Sequence, residues 1–350
     1  MLKQKLILIG PINNGNVACT GDTVKNQLFF KRFNEIFERV LPVDTYNWRK
    51  RPWCLIKMIV TVLYHQNVKV IVSANPGSAN ILIQILNWLN VSYRTFYWVV
   101  GGSLHKDFEA KSRDWHNYTK LAGIIVQGKI MEKTMRNIGL NNVSFVPNSK
   151  YIDFIPVKKI KSEDKTHFVF LSRIEKYKGC DDIFLAMDIL QKIGYQEKFD
   201  VTFYGKTTDE LDYFNSFIEN INKRNNALYK GIIDLKDTEN YKELAKYDVM
   251  LFPTYWSGEG FPGVMIDAYI SGLPIIASDW NLNSDIVKDN ITGWIIPVHD
   301  VNALAERMIY SIKHPSIIRK MSLECQSIAR EYDIRNVLSE NNLNKLGLIP

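Results

Sequence analysis

No acidic residue occurs between Asp44 and Asp107, a gap that holds seven cations, Arg49, Lys50, Arg51, Lys57, Lys69, Arg94 and Lys106. Lys and Arg number 44 against 37 Asp and Glu, a net charge of +7. The rest of the chain therefore sums to zero, and the basic face belongs to the first half. There is no recognisable nucleic-acid module and the rest of the chain is electroneutral, which argues against a nucleic-acid partner. Cysteine is equally sparse. Cys19, Cys54, Cys180 and Cys325 are scattered, with no CxxC and no cluster with His, which argues against a disulfide framework or a zinc site and suits a reducing compartment. No apolar run approaches the roughly 18–20 residues that a membrane-crossing helix needs, and the longest candidate, Trp53 to Tyr64, carries Lys57 in its middle. The short apolar start breaks at Pro11 and Asn13, and Val17-Ala18-Cys19 lacks the apolar run that should precede a lipobox. We read a cytoplasmic first strand there, not a signal peptide. No strand candidate leads into GxGxxG, and the first loop, Gly10 to Gly15, has no Walker lysine, so a dehydrogenase or P-loop reading starts weak.

What is present is the composition of an ordinary globular protein, 46% hydrophobic and 23% charged over 350 residues, a length that points to two domains. Short β-rich runs alternate with helical patterns. Lys5–Gly10 reads as a strand and about Asp22 to Glu38 as a helix, and Lys69–Ser73, Arg94–Val100 and Gly123–Gln127 read as further strands. A break comes near Val146-Pro147-Asn148, followed by a lysine-rich stretch, Val157 to Thr166, that reads as a linker. The alternation then restarts with strands at His167–Leu171, Asp200–Tyr204, Asp248–Phe252, Pro274–Ala277 and Gly293–Ile296. This is the βαβα grammar of parallel sheets covered on both faces. The predicted fold class is α/β, two doubly wound Rossmann-like domains facing a cleft, with ligands at the carboxyl ends of strands. The expected boundaries are 1–155, 156–320, and a C-terminal segment 321–350 whose helix, about Met321 to Leu346, returns to the first domain.

Two constellations carry chemistry. In the first, the strand ending at Leu171 leads into Ser172-Arg173-Ile174-Glu175-Lys176-Tyr177-Lys178-Gly179, and a helix follows with Ile183, Met187 and Leu190 on one face. Arg173 offers a planar fork and Lys178 a mobile point charge, a pair suited to a diphosphate. In the second, Thr254 to Ala268 follows an apolar strand. Pro262 suits the first position of a helix, and Gly258, Gly260 and Gly263 leave backbone N–H groups open at that helix's positive end. Asp267 lies one turn beyond Gly263 on the same face, within reach of a ribose hydroxyl, and Glu259 precedes the helix. Together the two loops fit a nucleoside diphosphate bearing a polar group.

The basic face is densest at Trp48-Arg49-Lys50-Arg51-Pro52-Trp53, with Lys57 one turn on. Tryptophans flanking cations before an apolar helix suit an anionic membrane surface, where each cation adds on the order of 1 kcal/mol. A buried helix with a solvated basic start is the other reading, and the sequence leaves both open.

From about Asn148 to Ser311 the chain resembles the retaining GT-B-fold glycosyltransferases of family 4, or group 1. The most specific segment is Glu259-Gly260-Phe261-Pro262-Gly263-Val264-Met265-Ile266-Asp267, which is similar to that family's E-x7-E signature. Ser271-Gly272-Leu273-Pro274 through Asp279, Asn283 through Gly293, Arg173-x4-Lys178-Gly179 and Val146-Pro147-Asn148 match further family motifs. The resemblance implies a first domain that binds acceptor and a second that binds a nucleotide-sugar. Glu259, Arg173, Lys178 and His105 would be catalytic, the last as the family's histidine near the reacting carbon. Gly15, Arg173, Lys178, Glu259, Gly260, Phe261, Pro262, Gly263 and Asp267 would hold the donor. Three residues depart from the pattern: Asp267 for the usual Glu, Ser172 for Gly and Asp285 for Glu.

The implied reaction is sugar transfer with retention from a nucleotide-sugar, a UDP-sugar by default, to a glycan or lipid-linked oligosaccharide in bacterial surface polysaccharide synthesis. No metal-binding DxD stands on a credible loop, so no metal or other cofactor is expected; Arg173, Lys178 and the helix N-terminus would meet the charge on the leaving diphosphate. The expected location is cytoplasmic, peripheral on the inner face of the cell membrane through Trp48, Arg49, Lys50, Arg51, Trp53 and Lys57. A nucleotide-sugar epimerase or phosphorylase on the same scaffold, or a silent sugar-nucleotide-binding subunit, is the alternative.

Overall fold

The computed structural model describes residues 2–13, 20–158, 165–207 and 211–350. Gly15, Cys19 and most of the lysine-rich stretch read as a linker lie outside the described residues. The chain divides into two units, one running to Lys150 and completed by Ile334–Pro350, the other Tyr151–Asp333.

The first unit runs β1 (Leu2–Gly10), α1 (Gly21–Ile36), β2 (Phe37–Asp44), α2 (Trp53–Tyr64), β3 (Lys69–Ala74), α3 (Pro76–Trp88), β4 (Thr95–Val99), α4 (Leu104–Glu109), β5 (Gly123–Val126), α5 (Lys129–Asn137) and β6 (Val143–Phe145). Its sheet is parallel in the order β2-β1-β3-β4-β5-β6. Central strands are unbroken apolar runs because helices cover both faces; Val70, Ile71, Val72, Phe96, Tyr97 and Trp98 are all buried. Reciprocal capping by Thr20 and Thr23 opens α1, with Thr20 N–H donating to Thr23 Oγ1 at 3.0 Å and Thr23 N–H to Thr20 Oγ1 at 3.3 Å.

The second unit runs β7 (Thr166–Leu171), α6 (Cys180–Lys192), β8 (Phe199–Tyr204), α7 (Leu211–Asn222), β9 (Ala227–Tyr229), α8 (Glu239–Leu244), β10 (Val249–Phe252), α9 (Gly263–Ile270), β11 (Ile275–Ser278), α10 (Asn283–Ile286), β12 (Gly293–Ile296), α11 (Val301–Lys313) and α12 (Pro315–Ala329). The order is β12-β11-β10-β7-β8-β9, again parallel. An aromatic core of Phe168, Phe170, Phe184, Phe199, Phe203 and Phe217 packs with Ile183, Met187 and Leu190 of α6. Strand order reverses between β7 and β10, and that switch point is where such sheets bind ligands. Both loops singled out above, 172–179 and 253–262, leave the carboxyl ends of these two strands.

The expected strands begin and end within three residues of those observed. Three differences have physical causes. The helix read to Glu38 stops at Ile36 and β2 starts with no loop; Phe33, Ile36 and Phe37 are all buried, so apolar spacing runs straight through the junction. Strands β6 and β9, each three residues long at a sheet edge, are too short to show a period. The single helix expected from Met321 to Leu346 is instead α12, a 3₁₀ turn Arg330–Tyr332, α13 (Ile334–Val337) and α14 (Glu340–Lys345). Asp333 breaks it, at φ −63° and ψ 126°. Beyond it the chain is tied into the first unit, with Ile334 N–H donating to Lys150 O at 2.8 Å, Lys69 Nζ to Gly347 O at 2.6 Å and Arg32 to Leu338 O at 3.1 Å.

Candidate active site

After β7 the chain makes a 3₁₀ turn, Lys176–Lys178, and enters α6 through Gly179, whose φ of +81° is left-handed. A Cβ there would lie 2.3 Å from Pro253 O, so the two loops meet backbone to backbone only because residue 179 has no side chain. The seam continues with Tyr255 N–H donating to Tyr177 O at 2.9 Å and Tyr255 OH to Lys176 O at 3.0 Å. Register between the loops is thus set by main-chain contacts and the Tyr255 hydroxyl before any functional side chain is considered.

This seam brings Arg173, Lys178 and Glu259 together. Lys178 is 3% exposed and its Nζ donates to Glu259 Oε2 at 2.5 Å. Thr254 Oγ1 sits 3.1 Å from the same carboxylate oxygen and 3.3 Å from Tyr177 O. Burial pushes the Lys178 ammonium below the ordinary lysine range, with Glu259 pulling it back and Arg173 adding to the push. Arg173 is more open, its side chain 44% exposed and paired to Glu175 at 3.2 Å. Trp256 lies beside both cations, its ring centroid 4.9 Å from Arg173 Cζ and 4.3 Å from Lys178 Nζ. The 253–262 loop folds back on itself, with Glu259 N–H and Trp280 Nε1 both donating to Trp256 O at 3.0 and 2.7 Å, and Asn281 Nδ2 donating to Glu259 O at 2.9 Å.

Pro262 takes the capping position, at φ −69° and ψ 117°, and α9 starts one residue later, at Gly263. The expectation that it is the first helical residue is corrected by that extended ψ. Gly260 and Gly263 are half-buried along the loop, and Phe261 is buried with its ring 5.5 Å from that of Tyr332. Asp267 is 2% exposed, and its Oδ1 accepts from Tyr241 OH at 2.7 Å. Burial first, then the Asp267 charge, push the Tyr241 phenol well up, so it remains a donor.

Sequence reasoning did not single out Thr254, Trp256 or Tyr241. Thr254 and Trp256 lay inside a motif already under discussion, but Tyr241 is on α8 and carries no signal of its own. In the first unit, His105 is the second residue of α4 and is buried, with Nδ1 lacking a hydrogen-bond partner. Burial, and then Lys106, hold it below the usual imidazole range. Arg49, Lys50, Arg51, Trp53 and Lys57 are exposed, and Trp48 is half-buried with Arg49 5.6 Å from its ring. Among the described residues no three His, Cys, Asp or Glu side chains are grouped to hold a metal, Cys54, Cys180 and Cys325 are buried and unpaired, and no helix is long and apolar enough to cross a membrane.

Two Rossmann-like units of this kind define the GT-B fold. A solved structure of Anabaena Alr3699/HepE in complex with UDP superposes with a TM-score of 0.75, covering 99% of this chain and 100% of that one at 13% identity. The model for glycosyl transferases group 1 matches residues 152–331, and the chain belongs to that family. Among curated relatives, a Staphylococcus aureus poly(ribitol-phosphate) alpha-N-acetylglucosaminyltransferase is 24% identical over 260 residues, 71% of this chain and 49% of that protein. An uncharacterized 41.2 kDa protein in the cps region of Klebsiella pneumoniae is 27% identical over 146 residues, 42% of this chain and 37% of that protein. The matches thus span half or less of these relatives' own length.

Proposed function

We propose that this protein is a retaining glycosyltransferase that transfers a sugar from a UDP-sugar to a glycan or lipid-linked acceptor in bacterial surface polysaccharide or teichoic acid assembly, without a metal ion. The observation that carries the reading is the Lys178–Glu259 pair beside Arg173 at the switch point of the second sheet. Breaking the anomeric C–O bond leaves an oxocarbenium-like sugar and a diphosphate with added negative charge. Lys178, Arg173 and the N-terminus of α9 meet that charge in a site largely screened from water, where such groups are worth several kcal/mol. Glu259 takes the sugar hydroxyls, Asp267 the ribose, and the backbone of Gly260 to Gly263 the sugar and phosphate. In a front-face displacement the departing phosphate helps to deprotonate the acceptor, so no enzymic nucleophile is needed. UDP is favoured by the HepE complex and the polymer class by the S. aureus relative.

The test is nucleoside-diphosphate release from UDP-, GDP- and ADP-sugars. Slow hydrolysis of one donor is expected, reduced about 100-fold or more in Glu259→Ala and in Lys178→Ala. A new sugar nucleotide without acceptor would mark an epimerase instead. If no sugar nucleotide of the panel gives either release or a thermal shift, the donor-site reading fails.

We further propose that the enzyme sits peripherally on the anionic inner face of the cell membrane. Along α2, Cys54, Met58 and Val62 face the core, while Trp53, Ile56, Val60, Leu63 and Tyr64 are exposed on the other side. The exposed set is a continuous apolar stripe with aromatic rings at both ends, Arg49, Lys50 and Arg51 before it and Lys57 along it. An anionic leaflet satisfies both the stripe and the cations. Sedimentation with phosphatidylglycerol vesicles should recover wild type. Both Arg49/Lys50/Arg51→Ala and Ile56→Ser/Val60→Ser should lower recovery at least about fivefold. Recovery equal to wild type would count against membrane docking, as would a dimer lost in the Ile56→Ser/Val60→Ser variant.

A further inference from the structure

We infer that Trp256 is a positioning residue for the donor diphosphate, holding Arg173 and Lys178 in place without neutralising them. The inference rests on the donor-site reading above and gives a role to Trp256, a motif residue to which that reading assigns none. Each cation has a carboxylate partner, Glu175 for Arg173 and Glu259 for Lys178. A carboxylate that fixes a cation also cancels the charge that a phosphate needs. An indole face attracts a cation through its quadrupole, carries no net charge, and does not compete with phosphate for it. The ring centroid lies within 5 Å of both cationic groups, so one side chain meets the two residues that come from the other loop.

The ring is itself placed by the backbone. Trp256 O accepts from Glu259 N–H and Trp280 Nε1, which closes the turn that carries Gly258 under the indole. A Cβ on Gly258 would lie 2.7 Å from Trp256 Cζ2 and 2.8 Å from Cη2, and Gly258 is not among the left-handed residues. Alanine at 258 therefore strains no backbone and displaces chiefly the ring. Gly258 leaves the indole the space that a Cβ would take, and a substitution there separates the position of Trp256 from its chemistry.

Calorimetric titration with UDP, GDP and ADP, each beside its monophosphate, tests this on the full chain with melting temperatures measured in parallel. For the diphosphate that wild type binds, Trp256→Ala should raise Kd about tenfold and erode the preference over the monophosphate. Trp256→Phe, which keeps a weaker aromatic face, should restore most of the loss, and Gly258→Ala should fall between. The indole should also report arrival of the diphosphate, so part of the tryptophan fluorescence change on binding should vanish in Trp256→Phe while binding persists. An unchanged Kd in Trp256→Ala overturns the inference and leaves the donor site standing. So does an equal loss for diphosphate and monophosphate, which would make Trp256 a structural part of the loop. If wild type binds none of the three diphosphates, the donor-site reading falls and this inference with it.

Discussion

Removing either member of the Lys178–Glu259 pair should cost more stability than removing both. Both side chains are nearly shielded from water, 4% and 10% exposed, so each single change strands a desolvated charge. The expected cost is about 3–5 kcal/mol for a broken buried pair, against little or none for an apolar replacement of both. For a unit of this size that is a fall of roughly 10 °C in Tm for Glu259→Leu or Lys178→Met, most of it recovered in the double variant. Thr254 does not spoil the comparison, because Tyr177 O remains within hydrogen-bond distance of its hydroxyl. The pH dependence has a definite sign. Burial holds the folded pKa of Lys178 below its ordinary value, so between the two values the unfolded chain binds more protons and stability rises with pH. Without Glu259 the folded value drops further, and the window widens at its acidic end. The deficit of Glu259→Gln should therefore be larger at pH 6 than at pH 9. Activity should not follow stability: donor hydrolysis should be lost in both single variants and stay lost in the double. A double variant as unstable as the worse single one would mean that the two charges do not compensate each other.

The parts of this site that were legible in the sequence are those where backbone and motif coincide. Lys178 could be placed because a strand ends at Leu171 and a helix opens after Gly179, which puts the loop between them at the carboxyl end of a strand, and Glu259 because glycines and Pro262 announce a loop entering another helix. The central strands could be read because a parallel sheet buried on both faces selects runs that are mostly apolar. What could not be read depends on contacts between segments far apart in the chain. Tyr241 meets Asp267 across 26 residues, and nothing near Tyr241 distinguishes it from any tyrosine on an amphipathic helix. Trp256 was visible as an aromatic in the loop, yet its place beside the two cations depends on a turn closed by Trp280, 24 residues away. The junction of α1 and β2 was hidden for the opposite reason: Phe33, Ile36, Phe37, Val40 and Val43 are buried at a helical spacing that runs straight across it. The C-terminal break at Asp333 was hidden too, because the bond that follows it, from Ile334 N–H to Lys150 O, joins segments far apart in the chain.

Gly179→Ala should cost both stability and donor hydrolysis, and Gly194→Ala supplies its control. Both glycines follow or precede α6 in left-handed backbone, φ +81° and φ +84°, so each alanine incurs about 1–2 kcal/mol for that conformation. At Gly194 a Cβ meets nothing within 4 Å, and the penalty ends there. At Gly179 it would lie 2.3 Å from Pro253 O and 2.8 Å from Pro253 C, backbone atoms that cannot rotate away, which adds about 1–3 kcal/mol of overpacking. Relief can come from either side of the seam. If the 172–179 loop yields, Lys178 moves with its neighbour. If Pro253 yields, it drags Thr254, whose hydroxyl lies on Glu259 and accepts from Trp256 N–H at 3.4 Å. Either way the cation and the carboxylate part, and the diphosphate loses a charge aimed at it. Gly194→Ala should therefore melt a few degrees low and hydrolyse donor at the wild-type rate. Gly179→Ala should melt lower still and lose donor hydrolysis about 100-fold or more at temperatures where it is fully folded. Equal losses in the two variants would show that the left-handed backbone alone matters, and that the close approach to Pro253 does not set the position of Lys178.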